Sequence, residues 1–165
     1  MKSTQLKSDE YITIQLTSKG IFKAKGSKFI AYAFPVFCPT DIKKALSNVG
    51  QLHPKARHHC YAWKLGLGEN NYRINDDGEP SGSAGRPIFG QIRSNNLTNV
   101  IVIVVRYFGG TLLGVPGLIE AYKKATADAF NQAQMVTQQI KQRYSIVFTY
   151  AEMNVVMSII KKLNL

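Results

Sequence analysis

A chain of 165 residues, 45% of them apolar, is long enough to bury a core and has the composition of a globular protein. Its 21 Lys and Arg against 10 Asp and Glu give a formal charge of +11 and a pI near 9.7, a balance that favours polyanionic partners such as nucleic acid, a ribonucleoprotein or an anionic membrane face. No segment has the unbroken apolar length of a membrane-spanning helix, and Met1 to Glu10 is too polar for a signal peptide, so no membrane partner and a cytoplasmic location are expected.

The positive charge is concentrated towards the front, in Lys2, Lys7, Lys19, Lys23, Lys25 and Lys28, followed by Lys43, Lys44, Lys55 and Arg57. Tyr11 to Leu16 alternates as a strand does, and Ser18-Lys19-Gly20 reads as the turn that closes it. Phe22 to Lys25 and Lys28 to Val36 form a hairpin with Gly26-Ser27 at its tip. Lys23, Lys25 and Lys28 flank that tip: singly each is a solubilising charge, together they are a cationic cluster. Thr40-Asp41 caps a helix whose inward face is Ile42, Ala45, Leu46 and Val49, with Gly50 at or near its end.

His53 to Arg57 is a basic loop, and His58 to Leu65 a strand. Cys38 and Cys60 are too few for a disulfide framework and read as small buried hydrophobes on strands. Adjacent strand residues point to opposite faces, so within His58-His59-Cys60 only His58 and Cys60 share one. That falls short of the roughly three or four ligands zinc takes. No metal or cofactor is expected; a histidine bonded to the acidic loop that follows is the better reading.

That loop, Asn75 to Pro87, packs Asp76, Asp77 and Glu79 with Ser81, Ser83, Gly78, Gly82, Gly85, Arg86 and two prolines. Asp76 to Gly78 is a turn signal. Beyond it Ile88, Phe89 and Ile92 recur at helical spacing, and Pro87 suits a first helical turn. A small-residue loop opening a helix presents free backbone N–H groups and the positive dipole end, an anion site to which Arg86 adds charge. A helix cap by Ser83 with the acids facing water is the plain alternative.

Asn99 to Phe108 holds Val-Ile-Val-Ile-Val-Val without alternation, the mark of a central strand covered on both faces. Arg106 and Tyr107 close it, Gly109-Gly110 follow, and a helix from about Pro116 to Gln134 has Leu118, Ile119, Tyr122, Ala125, Ala129 and Phe130 as its inner face. Strand, glycine-rich turn and helix is a phosphate-holding layout, although glycines that simply allow close packing explain the turn equally well. The helices from Thr40 and Pro116 are expected on one face of the sheet. Met135 to Lys141 reads as a linker, Tyr144 to Tyr150 as a strand, and Met153 to Leu163 as an amphipathic helix.

Four stretches carry a resemblance: Lys25-Gly26-Ser27-Lys28-Phe29-Ile30-Ala31, His58-His59-Cys60-Tyr61-Ala62, Asp76 to Pro87, and Val104-Val105-Arg106-Tyr107-Phe108-Gly109-Gly110-Thr111-Leu112-Leu113-Gly114. In this order, across roughly residues 10 to 135, they resemble the Impact/YigZ family. Two places depart from the pattern: where the family runs Leu-Gly-x-Gly-Gly-Leu this chain has Leu113-Gly114-Val115-Pro116-Gly117-Leu118, and Glu120 stands where a basic residue is expected.

The resemblance implies an α+β fold like the second domain of ribosomal protein S five over residues 1–135. It also implies a linker at 136–141, and at 142–165 the first strand and helix of an incomplete ferredoxin-like domain similar to the fifth domain of elongation factor G. Its functional implication is translational control, with RNA or the translation machinery, or a regulatory protein, as partner. The unfinished tail suggests association with a second copy through its edge and apolar stripe.

The expected anion or nucleic-acid contacts are Lys23, Lys25, Lys28, Arg57, Ser81, Ser83, Gly85, Arg86, Arg106, Gly109 and Gly110, with Tyr32, Phe34 and Tyr61 as stacking surfaces. The alternative is an enzyme acting on a phosphorylated substrate through Asp76, Asp77, Glu79 and His58. It lacks a nucleophile with an evident base: no serine lies in a Gly-x-Ser-x-Gly elbow, and Cys60 and His59 sit on opposite strand faces.

Overall fold

The computed structural model describes residues 9–141 and 145–163. Lys2, Lys7 and Tyr144 lie outside the described residues. The fold is α+β, a five-stranded antiparallel sheet in the order β2-β3-β6-β4-β5. The strands are β2 (Ser18–Ala24), β3 (Ser27–Pro35), β4 (His58–Lys64), β5 (Tyr72–Asn75) and β6 (Val100–Tyr107). A separate antiparallel pair joins β1 (Glu10–Ile14) to β7 (Met135–Gln139).

The unbroken apolar run takes the centre. Val100, Val102 and Val104 point to one face, against the helices α2 (Gly85–Ser94) and α3 (Gly114–Asn131). Ile101, Ile103 and Val105 point to the other, against α1 (Pro39–Leu52). All six are fully buried, each contributing about 1.5–3 kcal/mol. The expectation of α1 and α3 on one face is therefore corrected: each helix carries a single apolar stripe, but the strand between them presents two apolar faces, and one helix covers each.

Other boundaries shift for local reasons. Ser18-Lys19-Gly20, expected as a turn, opens β2, and Gly20 is where α3 lies closest to the sheet. A Cβ there would come within 2.2 Å of the Ala129 nitrogen and 2.7 Å of the Ala125 oxygen, so the glycine serves packing. The cap of α1 is Cys38, not Thr40; the Asp41 carboxylate reaches back to the N–H groups of Phe37 and Cys38 at 2.9 and 3.3 Å. Cys38 is accordingly exposed rather than buried on a strand. Gly50 lies near the end of α1, which runs two residues further to Leu52. On α3, Ile119 faces solvent, and Ala121 and Thr126 take places in the buried stripe.

The segment read as a linker, from Met135, is strand β7 through Gln139, with Ile12 facing Thr137 and Ile14 facing Met135. Residues 145–149 form no strand; a 3-10 turn at Tyr150–Glu152 leads into α4 (Met153–Leu163), no residue of which is buried. No helix among the described residues is long and apolar enough to cross a membrane.

Candidate functional site

The strand register brings three of the singled-out stretches to one end of the sheet. Arg106 of β6 lies opposite Phe29 of β3 on one side and His58 of β4 on the other, and Tyr107 lies opposite Lys28. The β2–β3 hairpin then folds against the turn after β6. Gly109 makes the contact: a Cβ on it would fall 1.8 Å from the Gly26 carbonyl carbon and 2.1 Å from the Ser27 nitrogen. Only glycine fits there. The Gly109 N–H donates to Ser27 Oγ at 3.1 Å, pinning the two turns together.

A cleft of about 530 Å³ opens at this end. Lys55, Arg57 and His58 line it from the β4 side, Arg106, Tyr107, Phe108 and Leu112 from the end of β6 and the turn beyond. The exposed Lys23, Lys25 and Lys28 stand on the adjoining hairpin. In the register Lys28 lies opposite Tyr107, and Lys23 opposite Lys28, which brings these two lysines, distant in sequence from the basic loop, beside the cleft.

The acidic loop is built inward. Its backbone docks on β4: the His58 Nδ1–H donates to the Asp77 carbonyl at 2.8 Å, the His59 N–H to Asp77 Oδ2 at 2.6 Å, and the Cys60 thiol to the Asp76 carbonyl at 2.9 Å. A carbonyl can only accept, so Nδ1 of His58 carries a proton. The expected bond between this strand and the acidic loop is therefore present.

Each carboxylate has a structural partner. Asp76 accepts the N–H groups of Gly82, Ala84 and Gly85 at 2.8 to 3.0 Å, so it caps α2 from outside. Its own burial pushes its pKa up, but those N–H groups and the charge of Arg86 outweigh it, and the carboxyl lies below its ordinary value. Glu79 is 8% exposed; it accepts from Arg106 Nη1 at 2.7 and 3.0 Å and from Tyr122 Oη at 2.8 Å. Burial raises the Tyr122 hydroxyl far out of the titrating range, and burial first, then the carboxylates nearby, pushes the Cys60 thiol up to about 12. A thiol held there is inert at neutral pH.

These partners reassign several expected contacts. The anion site at the start of α2 is filled by Asp76, which takes the Gly85 N–H. Ser83 is fully buried and donates to the Pro80 carbonyl at 2.6 Å; it caps nothing, the cap residue of α2 being Ala84. Ser81 and Arg86 are exposed on this loop but do not line the cleft. Glu120 pairs with Lys124 at 3.2 Å on the solvent side of α3 and puts no acid in its first turn. Among the described residues no group of three or more His, Cys, Asp or Glu is placed to hold a metal ion. Tyr32, Phe34 and Tyr61 pack under α1; the open aromatic ring is Phe108, 55% exposed at the cleft.

A second buried-edge cluster supports the floor. His53 sits between two tyrosines, with Nε2 2.8 Å from Tyr32 Oη and Nδ1 2.9 Å from Tyr107 Oη. Burial first, and then His59, Lys19 and Lys28, hold its pKa below the ordinary 6.5. Sequence reasoning missed this cluster, together with Phe108, Leu112 and the role of Tyr122. The aromatic directly before Gly109-Gly110 was the one available signal, since a ring at a strand end facing a turn has little to bury it.

Residues 25–130 match the Impact N-terminal domain, and the chain belongs to that family. It is 37% identical over 110 residues to the IMPACT family member YigZ of Escherichia coli, covering 66% of this chain and 54% of that one. To the IMPACT family member YvyE of Bacillus subtilis it is 31% identical over 130 residues, covering 79% and 60%. The chain therefore spans somewhat over half the length of these two relatives. A crystal structure of a hypothetical protein superposes with a TM-score of 0.82 at 27% identity, over 94% of this chain and 77% of that one.

Proposed function

We propose that the chain is a nucleic-acid-binding module of the translation apparatus, holding RNA by its phosphates at the basic end of the sheet and serving translational regulation in the cytoplasm. The observation that carries this reading is the cleft lined by Lys55 and Arg57 beside a hairpin whose Lys28 lies opposite Tyr107 and Lys23 opposite Lys28, while Asp76 is bound by backbone N–H groups and Glu79 by Arg106. Of the three loop acids Asp77 alone is exposed, its side chain 47% accessible, so a polyanion meets an excess of positive charge. Arg106 adds a donor more than a net charge, since Glu79 offsets it.

Membership of the Impact family supports the translational setting, and a regulatory protein partner fits the same setting. The exposed apolar residues of α4, among them Val155, Ile159 and Leu163, fit a second domain of which residues 142–165 are the start, and contact between copies through that segment.

The test is binding of single-stranded RNA to the chain and to the triple variant Lys23→Glu, Lys25→Glu, Lys28→Glu. Weaker binding of every sequence tried, with a shallower salt dependence, supports the reading. Unaltered affinity shows that the hairpin lysines serve solubility.

A further inference from the structure

The floor of the cleft is cationic. Lys55 and Arg57, both exposed, line it together with Arg106. Glu79 engages Nη1 of Arg106, so Lys55 and Arg57 are the charges left to meet a ligand, and they specify that it is anionic.

The mouth has a different character. Phe108 is 55% and Leu112 80% exposed, both lining the cleft. Arg106 lies 5.5 Å from the centroid of the Phe108 ring, a cation–π contact that sets the ring beside the cationic floor. An exposed aromatic next to a cationic floor is how single-stranded nucleic acid is held, the base on the ring and the backbone on the charges. The volume of about 530 Å³ is of the order that houses a small organic ligand.

We propose that the cleft seats one nucleotide of a single strand, its base stacked on Phe108 and its phosphate on Lys55 and Arg57. This rests on the RNA-binding reading and gives it a site. The hairpin lysines then track the neighbouring phosphates.

The experiment uses a short oligoribonucleotide carrying one 2-aminopurine, titrated into the full chain and into Phe108→Ala at several salt concentrations. Phe108 is exposed, and an unchanged melting temperature confirms that the variant folds. The proposal expects fluorescence quenching on binding, and affinity lowered roughly 5- to 100-fold in the variant with the salt slope unchanged, because a ring carries stacking and no counterions. Binding without quenching, and with equal affinity in both proteins, overturns the nucleotide seat and leaves phosphate binding elsewhere standing. Binding of inorganic phosphate at the cleft with no preference for the oligonucleotide overturns the seat as well. No binding of the oligonucleotide even at low salt overturns both the seat and the RNA reading.

Discussion

Nη1 of Arg106 donates to both carboxylate oxygens of Glu79, at 2.7 and 3.0 Å, with the two side chains 8% and 3% exposed. The pair joins the acidic loop to the end of the central strand, and Tyr122 joins α3 to it through the same carboxylate. Three elements therefore depend on one buried charge.

Removing that charge alone leaves a guanidinium in the interior without its counterion, which typically costs about 3–5 kcal/mol. Glu79→Ala is expected to lose stability on that scale in urea unfolding. Glu79→Gln with Arg106→Met is expected to lose less than the sum of the single changes, because the orphan charge is gone. Additive losses in the double variant would show that the pair is not coupled.

Asp76→Asn tests the external cap of α2. An amide oxygen can replace one carboxylate acceptor but not the charge among three N–H donors, so a loss of about 1–2 kcal/mol is expected at neutral pH. The folded pKa of Asp76 lies below the ordinary 3.8. Its contribution is therefore complete above the unfolded value and disappears as pH falls through the folded one. The difference between wild type and variant should close in acid, below about pH 4. A difference that stays constant down to the acid transition would rule out the carboxylate as the cap.

His53 is the group to watch near neutrality. Its lowered pKa means that the neutral ring is favoured in the folded state, so its contribution is present above about pH 6.5 and is lost as pH falls through the folded value. Imidazole proton shifts followed by NMR should place its midpoint below the ordinary 6.5. A midpoint above 6.5 would contradict the half-buried tyrosine–histidine–tyrosine arrangement.

The central strand and the C-terminal helix sit at opposite ends of local stability. Residues 100–105 are fully buried, whereas α4 has no buried residue. Amide exchange is expected to be slowest in β6 and fast throughout α4 in dilute solution. Strong protection of α4 that grows with protein concentration would reveal contact between copies through its apolar side chains.

What the sequence made legible depended on how local the signal was. The run from Val100 to Val105 announced a doubly covered strand, and the density of Asp, Gly and Pro at Asn75 to Pro87 announced an ordered loop. The sharing of sheet faces was not legible, because the stripe on α1 looks the same whichever face receives it. Gly20 was read as a turn, since nothing local shows that α3 will pass within contact of its Cα. The same limit applies to the site: Asp76 and Glu79 look like solvent-facing acids until the fold brings the start of α2 and Arg106 to them. Conversely, the hairpin and Gly109 read as separate basic and glycine-rich features, and only the β3–β6 pairing joins them.

The most direct test of the account is the affinity for single-stranded RNA as a function of salt, for the wild type and for Lys55→Glu with Arg57→Glu. With roughly four to six phosphates neutralised, affinity should fall about as the third or fourth power of salt concentration, and the double reversal should weaken binding and flatten that slope. An affinity that does not change with salt, or that the reversal leaves intact, would contradict the claim that the basic end of the sheet holds the phosphate backbone.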